Sequence, residues 1–289
     1  MLAENKAKRY VKLTISLLVF LADYVFACVR RAMGGGGGPA RCVILYYHSI
    51  TEDQRGMFAS QMDDVLRLAK PISADRKAML SGSSRYVAIT FDDGFENVLH
   101  NALPEMETRG IPATIFVITD SLGRLPNWQR FIADYNNKEK VMTADQLLAL
   151  PRSLITIGSH TRTHPVLTSL SDSEAKREIV DSGVYLENLL GRKIELFSFP
   201  YGAYSQNLIR LCKEAGYERV FTIAPVLGMR KPDEFVTGRI GVEPTCWPIE
   251  FRLKVVGAYR WLAWAGVWKH GALRFAACCE HMRKNDTHE

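Results

Sequence analysis

The chain has 289 residues, 47% of them apolar, and a formal net charge of +6 from 37 lysines and arginines against 31 aspartates and glutamates. This length and composition allow one large core and exclude a disordered or fibrous chain. The charge is too modest for a nucleic-acid binder, so none is expected as a partner.

The basic excess gathers at the two ends, in Lys6, Lys8, Arg9, Arg30 and Arg31 and in Lys254, Arg260, Lys269 and Arg274, each beside apolar aromatic stretches. That combination favours a membrane surface. Residues 1–33 form a basic and apolar segment whose stretch from Leu13 to Val29 is largely apolar but interrupted by Asp23. An aspartate at mid-bilayer costs about 2.5–3.5 kcal/mol, which weighs against a simple span. Lys12, Ser16, Asp23 and Arg30 share one helical stripe, the pattern of a helix in the interface. Packing on the folded domain is the alternative, and no small-residue site argues for a removed signal peptide. Residues 34–40, a glycine run closed by Pro39, read as a linker.

The folded domain is expected over residues 41–250. Strand patterns fall at 43–47, 87–91, 113–117, 154–157, 196–199 and 220–223, and helical patterns at 58–69, 97–109, 143–150, 173–190 and 206–215. Ser171 or Ser173, and Thr143, stand as helix-start residues before acidic first turns. Alternation of this kind implies parallel strands and crossover helices, an α/β sheet or barrel. Residues 251–289 form a tryptophan-rich tail in which Trp261, Trp264, Trp268, Ala272 and Phe275 share a helical face, suited either to a headgroup layer or to covering the barrel. The six cysteines, Cys28, Cys42, Cys212, Cys246, Cys278 and Cys279, make no paired spacing and read as free or buried thiols.

Four clusters carry chemistry. The strand 87–91 ends in Asp92, Asp93 and Gly94, and strand ends are where parallel α/β folds collect functional groups. On an extended backbone the two carboxylates diverge, so one can bind a metal while the other faces substrate; a turn or helix cap is the plainer reading of the pair alone. After the strand at 154–157 come His160 and His164, four apart, which a helical turn would aim at one ion. Together these clusters supply two nitrogens and one oxygen, the donor set of a catalytic zinc with open positions. The third cluster is Phe199-Pro200-Tyr201-Gly202, and the fourth Tyr46-Tyr47-His48-Ser49, which puts His48 on the same rim.

The segments Thr90-Phe91-Asp92-Asp93-Gly94, Ser159 to His164 and Phe199 to Gly202 resemble the first three motifs of the polysaccharide deacetylases, the NodB-homology or carbohydrate esterase family 4 enzymes. Order and spacing agree across roughly residues 43–242. The resemblance implies a distorted (β/α)7 barrel, here with an N-terminal membrane-associated helix and a C-terminal helical tail, a divalent metal, usually zinc, and hydrolysis of N-acetyl groups from an amino-sugar glycan. Carried over by position, Asp92 is the base, Asp93, His160 and His164 are the metal ligands, and Tyr201 gives a backbone oxyanion donor. The early Tyr-Tyr-His-Ser is similar to the permuted members that deacetylate poly-N-acetylglucosamine, in which a histidine after the first strand is the acid; His48 is its counterpart. The chain departs from the pattern at Ser198, where the family usually has an arginine that steadies the base. Arg239 is a candidate replacement, with a surface ion pair as the alternative. The late Leu-x-His motif is also missing, which fits His48 in its role. Two further readings stand beside the exopolysaccharide one: a deacetylase or deformylase of a lipid-linked sugar, and an inactive glycan-binding homologue. Relatives of this kind act on exported glycans, which implies an extracytoplasmic catalytic domain at a membrane.

Overall fold

The computed structural model describes residues 6–36, 38–127, 139–231 and 233–265. Its strands are β1 (Arg41–Tyr47), β2 (Lys70–Pro71), β3 (Arg85–Phe91), β4 (Ala113–Val117), β5 (Ile155–Ser159), β6 (Leu196–Ser198), β7 (Arg219–Phe221), β8 (Val236–Thr237) and β9 (Ile240–Gly241). Its helices are α1 (Lys6–Ala32), α2 (Arg55–Leu68), α3 (Leu103–Glu107), α4 (Ala144–Ala149), α5 (Asp172–Leu190), α6 (Gln206–Glu214) and α7 (Pro248–Val255). The strands pair in parallel in the order β8-β7-β6-β5-β4-β3-β1-β9, with β2 also on β3, and curl into a partial barrel of the expected (β/α)7 type.

The pleat sorts the side chains. Val43, Leu45 and Tyr47 of β1 and Val87, Ile89 and Phe91 of β3 point outward into the main core under the helices. Cys42, Ile44 and Ala88 point inward, where with Phe116, Leu196 and Phe221 they fill the barrel. Asp92 continues the inward parity of Ala88 and Thr90, so the pleat itself delivers its carboxylate to the barrel mouth.

Local signals set the helix ends. The Ser171 hydroxyl accepts from the Glu174 amide and Gly191 closes α5 in the left-handed region at φ 63°. The helix expected over residues 97–109 is instead a π-helical turn, Val98–Ala102, running into α3. Pro104 has no N–H to give the preceding turn, which breaks the regular α-ladder there.

Helix α1 is long and apolar enough for a membrane anchor or signal sequence. Its polar stripe faces the domain: Asp23 pairs with Arg41 at 2.7 Å and Arg260 at 2.8 Å, Ser16 accepts from Trp261 Nε1 at 2.9 Å, and Arg9 pairs with Glu250 at 2.7 Å. Residues 261–265 are helical, and Trp264 is exposed. Trp268, Ala272, Phe275, Lys269, Arg274, Cys278 and Cys279 lie outside the described residues.

Strands β8 and β9 are the two edges of the sheet, and only Gly238 and Arg239 separate them in sequence. The chain itself therefore crosses the barrel's open seam. A Cβ at Gly238 would run into the Ala224 carbonyl oxygen, which backbone cannot yield. Gly238→Ala is expected to cost at least about 1–3 kcal/mol, read as a fall in Tm of the order of 5 °C.

Candidate active site

Asp92 follows β3 directly, with its amide donating to the Tyr47 carbonyl at 2.9 Å. The next residue leaves the strand: Asp93 has φ 70° and Gly94 φ 70°. The two carboxylates are thus separated by a left-handed turn, not by the simple divergence of an extended chain. The histidine segment is likewise not helical. Thr161 at φ 68° and His164 at φ 61° fold it back, and the Thr161 hydroxyl accepts from the His164 amide at 3.0 Å. Backbone strain of this kind costs on the order of 1–3 kcal/mol per residue, and here it converges three donors.

Asp93 Oδ1 lies 3.5 Å from His160 Nε2 and 3.5 Å from His164 Nε2. All three residues are buried, and their ligand atoms fall within 4.8 Å of one another. Ligand bonds of about 2.1 Å in tetrahedral geometry put neighbouring donors about 3.4 Å apart. Asp93 Oδ1 is buried with no hydrogen-bond partner, an arrangement costly enough to need a cation. The donor set fits a divalent metal.

The far sides of the rings are held. His160 Nδ1 donates to the Ser198 carbonyl at 2.8 Å. In the same tautomer His164 Nδ1 donates to the Tyr201 hydroxyl oxygen at 3.1 Å. Both leave Nε2 as a lone pair toward Asp93. Burial pushes the His164 imidazole down to about 3, so it is neutral. His160 is opposed by burial too, but Asp93 and Asp92 overcome it and raise it; a metal cation satisfies the same carboxylates in place of that proton.

Asp92 takes no part in this triplet. Arg239 is fully buried and meets it with two parallel bonds, Nη1 to Oδ1 at 2.7 Å and Nη2 to Oδ2 at 2.8 Å. The same guanidinium donates to the Ser198 hydroxyl at 2.7 Å and the Thr90 hydroxyl at 3.1 Å. Tyr46, Phe116 and Phe221 wall it in at 4.8, 5.4 and 5.7 Å. Burial alone pushes the Asp92 carboxyl up; the guanidinium more than reverses this and holds it at about 2. Of the two expectations for Arg239, the surface ion pair is thereby excluded.

His48 follows β1 on the same rim, its ring 5.6 Å from that of Tyr46, and its charge helps to lower both Asp92 and Asp93. Tyr201 takes φ 57° in the turn Pro200–Gly202, and a Cβ on Gly202 would strike Ile223. The seven residues singled out in the sequence thus share one rim or its floor. Two contacts had no sequence signal: the Tyr201 hydroxyl on His164, and Ser198 as the point where the supports of His160 and Asp92 meet.

Residues 80–220 match the family model for polysaccharide deacetylase. The chain carries a polysaccharide deacetylase domain. The match takes in Asp92, Asp93, His160, His164, Ser198 and Tyr201, while His48 and Arg239 come to the deacetylase rim from either side of it. YxkH of Bacillus subtilis (strain 168) is 26% identical over 221 residues, 71% of this chain and 73% of that one. The peptidoglycan-N-acetylglucosamine deacetylase of Bacillus cereus is 24% identical over 132 residues, 45% of this chain and 42% of that enzyme. The structure of IcaB from Ammonifex degensii superposes with a TM-score of 0.63 at 23% identity, over 77% of this chain and 98% of IcaB. The shared fold therefore extends well beyond the matched segment.

Two outcomes follow from this site. Asp92 sits below its ordinary value of 3.8, so in wild type it adds stability that is present above about pH 4 and lost as pH falls toward 2. Arg239→Gln strands that carboxylate, at about 3–5 kcal/mol, and raises its pKa. The Tm gap between wild type and variant is expected to widen from about pH 3 to 7, measured by thermal melts across that range. Tyr201→Phe is expected to weaken metal binding by roughly tenfold through the loosened His164 ring, measured by competition with a chromogenic chelator.

Proposed function

We propose that this chain hydrolyses N-acetyl groups from an N-acetylglucosamine-type glycan with the help of a divalent metal, most simply zinc. The observation that carries the reading is the juxtaposition of a buried Asp93, His160 and His164 triplet with a separate carboxylate, Asp92, kept ionised by Arg239. Asp93, His160 and His164 are the proposed ligands. A divalent ion in that seat supplies Lewis-acid polarisation of an acyl carbonyl and acidifies water to a pKa of roughly 7.

In this reading Asp92 receives the proton of the attacking water, its second oxygen remaining on Arg239. The left-handed turn at Tyr201 presents the backbone amide as a donor to the oxyanion, a contact worth on the order of 10²–10³ in rate. His48, on the rim beside Tyr46, hands a proton to the departing sugar nitrogen. Base and acid are thus different residues on different strands, β3 and β1. The name of the Bacillus cereus relative, a peptidoglycan-N-acetylglucosamine deacetylase, supports the sugar.

A lipid-linked sugar at a membrane is the second reading, favoured by the apolar side of α1 that faces away from the domain. We infer a membrane-associated protein with an extracytoplasmic catalytic domain. The inactive glycan-binding reading rested on Ser198, and it loses that support because Arg239 gives Asp92 a buried guanidinium from another strand junction.

The full chain, in mild detergent with added zinc, is expected to release acetate from N-acetylglucosamine oligomers. Asp92→Asn should lower the rate by about 10²–10⁴, and a chelator should abolish it until zinc returns. A metal-filled wild-type protein that yields no acetate would sink the soluble-glycan reading and leave the lipid-linked sugar.

A further inference from the structure

Helix α1 is tied to the domain at three points along its length, Arg9 on Glu250, Ser16 on Trp261, and Asp23 on Arg41 and Arg260. Arg9 and Asp23 lie about 21 Å apart along the helix. A helix that crosses a bilayer must pass through roughly 30 Å of hydrocarbon. To do so α1 would have to leave all three ties, carrying Asp23 into lipid and stranding Arg41, Arg260 and Glu250.

The opposite side of α1 is apolar and exposed, with Leu17, Leu18, Leu21, Tyr24, Val25 and Phe26 turned outward. Asp23 is the helix's one acidic residue and is already paired, so every other charge on α1 is positive, from Lys6 and Lys8 at one end to Arg30 and Arg31 at the other. A second copy of the chain would set like charges together, whereas anionic headgroups complement them. Beside the Asp23 ion pairs lies a cavity of about 720 Å³ lined by Arg41, Arg230, Arg260, Val226, Leu227 and Trp264. Cations above apolar walls suit a lipid headgroup with the start of its chains. Trp264, 74% exposed, extends the same surface.

The ties also fix a direction. Arg9 reaches Glu250 and the Thr245 carbonyl, just past the C-terminal end of β9, while Asp23 reaches Arg41, the first residue of β1. Helix α1 therefore runs antiparallel to the strands down the outer wall of the barrel, from the catalytic rim to the opposite end.

Resting on the membrane association inferred above, we propose that α1 is a monotopic anchor that lies flat in the interface of a bilayer containing anionic lipid. The strands then run parallel to the membrane plane, and the rim that carries Asp92 and Asp93 opens sideways along the surface.

The test uses the full chain with vesicles of phosphatidylcholine alone or mixed with phosphatidylglycerol. Wild type is expected to float with the mixed vesicles at least tenfold more than with the neutral ones, and an affinity tag placed before Met1 is expected to stay open to protease added outside sealed vesicles. The double substitution Leu18→Glu with Val25→Glu, both on the outward face, is expected to lose that binding tenfold or more at unchanged Tm and zinc content. Protection of that tag from external protease in sealed vesicles means a spanning helix and overturns the proposal while leaving membrane association intact. Absence of wild-type binding overturns both, and so does a vesicle-free dimer that the double substitution dissociates while vesicle binding stays the same. None of these readouts depends on deacetylation, so the glycan reading stands or falls separately.

Discussion

The buried pair between Arg239 and Asp92 is the contact on which the site's other arrangements turn. Removing two charges from water is costly, and in general well-packed apolar side chains would be as stable or more so. Here the pair is fully satisfied: two bonds to the carboxylate, one each to Ser198 and Thr90, and three aromatic rings around the guanidinium plane. The cost is met by a complete network, which rigidifies what a looser one would leave mobile. Because Arg239 stands between the two sheet edges, its side chain also fills the barrel where strand pairing ends. One residue thus keeps Asp92 charged, fixes its orientation, and packs the seam.

Ser198 couples this pair to the triplet of Asp93, His160 and His164. Its hydroxyl accepts from Arg239 and its carbonyl accepts from His160. A shift in β6 would therefore move the support of Asp92 and the anchor of His160 together, and would reach His164 through the Tyr201 turn that follows. The two functions are separate in chemistry and joined in mechanics. Such sharing is economical on a small rim, where each supporting group must be locked by neighbours to hold sub-ångström geometry.

Much of this was legible in the sequence. Short β-branched runs each became a parallel strand, because fully buried strands need continuous apolar residues. The rule that chemistry gathers at strand ends points to Asp92, Asp93, His48, His160, His164 and Tyr201, and the fold brings these six to one rim. The local path to the site was not legible. Spacing of four residues pointed to a helical turn for His160 and His164, whereas left-handed residues Thr161 and His164 do the work; φ at a non-glycine residue has no reliable sequence mark. Arg239 was open between two roles because its partner lies 147 residues away, and only the closed sheet brings them together. In α1 the polar stripe was visible, but the stripe turned toward protein, since Arg41, Arg260 and Trp261 offered it partners that periodicity cannot reveal.

The placement of the guanidinium also constrains substitution. Arg239 sits at the β8–β9 crossing, fully buried among Tyr46, Phe116 and Phe221, with Nη2 on the Ser198 hydroxyl. An arginine at residue 198 would press a second cation against the first in a space closed to water, while loss of Arg239 alone would leave a bare carboxylate in the barrel. The two positions are therefore energetically coupled: side chains that touch do not contribute additively, so the tolerance of residue 198 to change depends on what stands at residue 239.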